Sequence, residues 1–266
     1  MLQASIPTLD PIPLPAPYWL FKLLLVVTFT LHVLAMNFLL GGMALAIASR
    51  WSATRDRANR LFSDVATKLP LLLPATVTLG VAPLLFLQVI YGQFFYTSSV
   101  VIAWPWFLAL VMLTIAYYGL YYVSSRTHRQ SGSGRWVLLA SFLLIAVIGF
   151  LFTTNLTLSQ TPVVWSGKYH ADSSGWNLNL SEATLVPRYL HFFAAAVAVG
   201  GLLLMLLAWL KRASDVEYRR YIFRFGAGLS SMPRWHSSRW VSGFSRPCRK
   251  PSAHFSWVEP ARPRCC

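Results

Sequence analysis

Five apolar runs, each long enough to cross a bilayer and each followed by polar or basic residues, set the pattern of this chain; they cover about 21–48, 69–91, 104–123, 136–156 and 185–210. A helix rises about 1.5 Å per residue, so roughly 20 apolar residues span a hydrocarbon layer about 30 Å thick. The pattern predicts an all-α fold, a polytopic membrane helix bundle of about five transmembrane helices. Residues 1–17 form a Pro-rich lead whose five prolines prevent regular helix, with Tyr18 and Trp19 following as an interfacial anchor. No basic region precedes the first apolar run, which is also too long for a signal-peptide core, so it is expected to stay uncleaved as an anchor. The second crossing carries Pro70, Pro74 and Pro83, which strip donors from some of its carbonyls. An uncharged connection over 92–103 then ends in the aromatic belt Trp104-Pro105-Trp106, and a polar segment, Thr157 to Glu182, joins the fourth crossing to the fifth.

Composition agrees: 56% hydrophobic and 12% charged residues over 266 positions are too apolar a mix for an ordinary soluble domain. The net charge of +15 would fit nucleic acid, but the Lys and Arg stand in short blocks between apolar runs without a nucleic-acid-binding motif. They read as topology signals, with membrane lipid and no nucleic acid as partner. Arg50, Arg55, Arg57, Arg60 and Lys68 follow the first crossing, Arg126, Arg129 and Arg135 the third, and Lys211-Arg212 the fifth, against mainly Lys22, Lys168 and Arg188 on the opposite side. The positive-inside rule puts the N-terminus outside and makes 1–17 an outer lead, in a multi-pass protein of the cell inner (cytoplasmic) membrane.

After about Gly228 the chain changes character. Residues 229–266 are rich in Arg, Ser, Pro and Trp, show no periodicity and hold all three cysteines, Cys248, Cys265 and Cys266. The change follows an amphipathic stretch that looks like the approach to a sixth helix. It reads as a frameshifted continuation of a longer gene, the alternative being a natural basic cytoplasmic tail; no fold is assigned to it. The cysteines have no metal-site spacing, and no CxxCH is present for covalent haem attachment.

Two histidines lie within apolar runs. His32, about 15 Å along the helix from Lys22, is deep in the first; His191 enters at the outer end of the fifth. An imidazole in lipid needs partners for its nitrogens, and such groups pair, relay protons or hold a cofactor. Haem iron in a helix bundle is held by side chains of this kind, whereas His128, His170, His236 and His254 fall in loops or tail and read as solvated. Gly41-Gly42 and Gly200-Gly201 permit close helix approach or leave room for a macrocycle, the former being the ordinary use of such residues.

Taken in order, residues 18–228 resemble the oxygen-reducing subunit I of the cytochrome bd quinol oxidases. His32-Val-Leu-Ala-Met-Asn-Phe-Leu-Leu-Gly41 is similar to the family's first-helix His followed by a small-residue stretch. Gly80-Val81-Ala82 with Gln88 and Gly92 resembles its second-helix segment. Asn155 with Gln160-Thr161-Pro162 looks like the outer end of its fourth helix, one residue more widely spaced. Arg188-Tyr189-Leu190-His191-Phe192 with Gly200 and Arg224-Phe225-Gly226 is similar to its fifth. The resemblance implies a cytochrome bd-like transmembrane bundle in which His191 is an axial ligand of a low-spin haem b and His32 that of a second haem, b or d, with Gln88, Asn155 and Arg188 around them. It further implies an oxidoreductase of electron transport that moves electrons between quinol or quinone and a partner or oxygen, alongside further subunits or a cytochrome c. Gln88 stands where the family has a glutamate, and every Asp and Glu lies outside the apolar runs, so the carboxylates that would deliver protons to an oxygen site are missing from them. Catalytic residues are left unassigned, and the reading favours electron transfer. The alternatives are a cofactor-free membrane anchor or assembly subunit, and a transporter; no internal repeat favours the latter, although Pro74 and Pro83 leave room for it.

This topology makes a prediction. Single cysteines placed between Thr157 and Glu182 should react with an impermeant maleimide on intact cells, and reaction only after lysis would reverse the assignment.

Overall fold

A computed structural model describes residues 14–50, 55–127, 134–210 and 216–228. The expectations for residues 1–13 and 229–266, and for His128 and Lys211-Arg212, lie outside the described residues. Among the described residues the chain is helical with no strand: α1 Tyr18–Ser49, α2 Arg55–Ala66, α3 Leu69–Val101, α4 Ala103–Thr127, α5 Gly134–Ser159, α6 Trp165–Ala171 and α7 Leu185–Leu210. A further helix, α8, covers residues 216–228. Helices α1, α3, α4, α5 and α7 are each long and apolar enough to cross a membrane, which makes the protein an all-α, multi-pass bundle. Their apolar residues lie on all sides, as they must where lipid covers one face and a neighbouring helix the other.

Helix α1 is the centre. Its C-terminal half, from Ala35 to Ser49, is buried against α3 and α7, with Leu39, Met43, Leu45 and Ala46 almost fully enclosed. Its N-terminal half is open: Leu23, Val26, Val27, Phe29, Leu31 and Leu34 are all exposed to the surroundings of the protein. The α1–α7 crossing is made by glycine. A Cβ built on Gly41 would stand 2.2 Å from the carbonyl oxygen of Ala196 and 2.8 Å from Cα of Gly200. The two backbones therefore touch, and this is the close approach that the small residues predict. The same device recurs where Gly119 of α4 meets Ser141 of α5 and where Gly226 of α8 meets the Gly201 carbonyl, whose oxygen would stand 2.6 Å from a Cβ built on Gly226.

Three segments differ from the pattern read in the sequence. Helix α3 does not stop near residue 91: Tyr91 breaks it, with φ −131° and ψ 24°, and helix resumes to Val101. Tertiary packing carries this extension. Phe94 lies against Trp165 and Phe95 edge-on to Trp106, while Val101 and Ile102 close on Leu158. Tyr18 and Tyr91 share a hydrogen bond of 2.8 Å that ties the start of α1 to the break. The basic connection after α1 contains α2, whose Leu61 packs with Leu45, Leu204, Ala208, Tyr218 and Ile222. Tyr218 of α8 donates to the Asp64 carboxylate of α2 at 2.9 Å, and burial followed by that carboxylate raises its pKa well above the usual phenol range. Between α5 and α7, the polar segment folds into a short 3₁₀ turn at Pro162–Val164 and α6, with Gly175 at φ 83° turning the chain beside Ala103.

A methyl group has no room at the α1–α7 crossing. Gly41→Ala is expected to destabilise the bundle by about 1–3 kcal/mol in a reversible detergent unfolding assay. Gly167→Ala, whose Cβ would meet nothing within 4 Å, should change stability by only a few tenths of a kcal/mol.

Candidate functional site

His32 sits on α1 where that helix leaves the packed core, and it is half-buried. Its Nδ1 lies 3.0 Å from the carbonyl oxygen of Thr76 on α3. A carbonyl can only accept, so Nδ1 carries the proton and donates. In the neutral ring this leaves Nε2 with its lone pair. Thr76 is held in turn, its hydroxyl donating back to the Leu72 carbonyl at 2.8 Å. One turn further along α3, Gly80 opens a notch that the imidazole fills: a Cβ there would lie 2.9 Å from Cε1 and 3.0 Å from Nδ1 of His32. Any larger residue would move the ring. Both features, the accepting carbonyl and the notch, are contributed by α3, and together they fix the tautomer and the direction of the ring.

His191 is placed differently. On α7, Tyr189 donates its hydroxyl to the Ala146 carbonyl of α5 at 3.0 Å, and its ring stands edge-on to Phe150 at 5.3 Å. That anchors one face of α7 to α5. A residue two positions on is turned by about 200°, so His191 points away from α5. It is exposed and touches Phe192 at 6.3 Å between ring centroids. No contact joins it to His32 among the described residues.

The residues expected around the two imidazoles have other partners. Asn155 is fully buried and donates to Ser99 Oγ at 3.0 Å, binding α5 to the extension of α3. Among the described residues its Oδ1 is buried without a partner, as is Oε1 of Gln93, six residues before Ser99. Both are acceptors that a water or another donor would satisfy. Arg188 donates to Gln160 Oε1 at 2.5 Å, at the end of α5. Gln88 is exposed on α3, two turns beyond Gly80, and His170 is exposed on α6.

The donor set bears on what could be held here. Among the described residues no three His, Cys, Asp or Glu side chains are grouped to chelate a metal ion. A macrocycle that brings four nitrogens of its own needs only one or two imidazoles from the protein, and ligating histidines characteristically donate their other N–H to a carbonyl or carboxylate. His32 meets that requirement. His191 offers an accessible imidazole with no second partner to orient it. Both histidines and Gly80 are legible in the sequence, whereas the Thr76 carbonyl is not. A backbone acceptor leaves no mark in residue type, although a Thr and a Gly one turn apart, opposite a lone His, are a usable signal.

The ring geometry is testable without any ligand. With ¹⁵N-histidine-labelled protein, the neutral form of His32 should show a protonated Nδ1 and an unprotonated Nε2, and Gly80→Val should abolish that signature by expelling the ring. Comparison of the chain with known protein families, with characterised proteins and with solved structures gives no match.

Proposed function

We propose that this is a haem-binding membrane electron-transfer protein, built like the haem-holding half of cytochrome bd subunit I. The observation that carries the reading is the His32 ring, oriented by Thr76 and Gly80 so that its Nε2 lone pair is the free coordinating atom. Its position, about ten residues from Lys22, sets it roughly 15 Å along the helix, at a depth where a one-electron carrier would be shielded from water. Haem, when bound, supplies the reversible one-electron couple. Everything else falls to the chain. His32 would serve one haem and His191 another, each nine residues before the glycine at which α1 and α7 touch. Arg188 lies one turn before His191 and carries a cation that can leave Gln160 to pair with an acidic substituent of the group His191 holds. The exposed apolar faces of α1 and α3 beside His32 leave lipid, a quinone or a partner subunit to complete the enclosure. Membrane carboxylates are absent from the apolar runs, which favours electron passage between quinone and a partner cytochrome over proton-coupled oxygen reduction. The cell inner membrane is the location this role requires.

A second reading rests on the same contact. An imidazole that fills a glycine notch and bonds a backbone carbonyl is also a pin between two helices, and a cofactor-free anchor or assembly subunit would use it so. The two readings separate optically. Full-length protein purified in mild detergent from cells supplied with haem precursor should show a Soret band. His32→Ala should remove one haem signal and leave the other, and His191→Ala should do the reverse. No Soret band in folded full-length protein would overturn the haem reading and leave the anchor and transporter readings.

A further inference from the structure

The end of the bundle that carries the basic connections holds a crease of about 470 Å³ between α2 and α8, lined by Arg57, Glu217, Arg220, Tyr221, Arg224 and Phe225. Five of these lie on α8 at spacings of three and four residues, so they form one stripe along the helix. Arg57 reaches across from α2 and pairs with Glu217. Three guanidinium groups thus share the crease with one carboxylate. The wall is apolar and ordered by stacking: the rings of Tyr221 and Phe225 lie 5.8 Å apart at 22°. Tyr221 adds a second, independent observation. Its hydroxyl is buried and, among the described residues, has no hydrogen-bond partner. That hydroxyl and the two arginines, which have no acidic partner among the described residues, are all donors, and their natural complement is a multivalent acceptor of negative charge.

The register of α8 sets the level of this crease. Tyr218 and Ile222 pack with Ala208 and Leu204, and Gly226 meets Gly201. Residue numbers rise along α8 as they fall along α7, so α8 climbs back beside α7. Gly201 precedes Leu210 by nine residues, which is about 13 Å of helix. Arg220 and Arg224 therefore flank the last turns of a membrane-crossing helix, close enough to its end for long side chains to extend to the headgroups. Cationic side chains there reach toward headgroup phosphates.

We propose that Arg57, Arg220, Arg224 and Tyr221 form a binding site for a phosphate group, that of an anionic phospholipid headgroup or free phosphate. The site is independent of the haem reading, since none of its residues touches His32 or His191 among the described contacts.

The test titrates full-length protein in detergent with dioleoylphosphatidylglycerol or dioleoylphosphatidylcholine and counts bound lipid by native mass spectrometry. Arg220→Gln with Arg224→Gln should weaken phosphatidylglycerol binding by about thirtyfold, as expected for about 1 kcal/mol for each of two charges, and leave phosphatidylcholine unchanged. The charge-matched pair Arg126→Gln with Arg135→Gln, far from the crease in sequence, should have little effect. Tyr221→Phe keeps the ring stack and should weaken binding by about twofold to fivefold, so the test survives if the double variant does not fold. Millimolar inorganic phosphate assigns the source: displacement of the lipid in wild type alone identifies a site for free phosphate, and persistence of the lipid identifies a headgroup site. Equal phosphatidylglycerol affinity in wild type, the crease double variant and Tyr221→Phe, or equal losses in both charge-matched pairs, would overturn the proposal.

Discussion

At Gly41 and Gly200 two helices touch through their backbones, and the rest of the bundle is arranged around that contact. Lipid tails are as apolar as leucine, so helices in a bilayer gain little from hiding hydrophobic side chains from one another; van der Waals contact over closely matched surfaces holds them together. Glycine brings α1 and α7 near enough for such contact to be extensive. It buries the C-terminal half of α1, with Met43 and Ala46 fully enclosed. The N-terminal half of α1 is largely exposed, and α3 meets it through Tyr91, Phe86 and Thr76. His32 lies at that transition.

The consequence at His32 is chemical as well as geometric. A polar ring in an apolar setting must place its protons, and the Thr76 carbonyl takes one of them. Because a carbonyl has no proton to give, the contact selects a single tautomer and leaves the other nitrogen as a base or ligand. Gly80 makes the contact possible by leaving out the side chain that would occupy the same space. His191 shows the contrast. The Tyr189 hydroxyl holds α7 against α5 from the opposite face, so the helix is oriented while the imidazole is not. One histidine is pre-organised and the other is accessible, and a bound group would have to supply what His191 lacks.

At the other end the constraints are electrostatic. Helix α2 and helix α8 close beneath α1 and α7 through Leu61, Tyr218 and Ile222, with the Tyr218–Asp64 hydrogen bond between them. Their apolar faces turn inward, and their arginines are left along the crease between them. Arg60 covers the Tyr218 ring at 4.2 Å, spending one cation on the packing itself. Glu217 answers Arg57, while Arg220 and Arg224 line the same crease.

Hydrophobicity and length determined the crossings, because a run of apolar residues has one stable form in lipid; residues 69 and 185 begin helices where the apolar pattern begins. The depth of His32 and the segregation of Lys and Arg follow from counting along the chain. The facing of each helix does not. Helices that are apolar all round carry no moment to say which side meets a neighbour, so the direction of His191, the meeting of His32 with Thr76 and the pairing of Asn155 with Ser99 were decided by where the helices cross. The continuation of α3 past Tyr91 was decided in the same way, by Phe94, Phe95 and Val101 finding partners distant in sequence. Glycine was legible as a place of close approach. Which backbone it approaches is a property of the tertiary structure, since a missing side chain is shaped only by what fills the space.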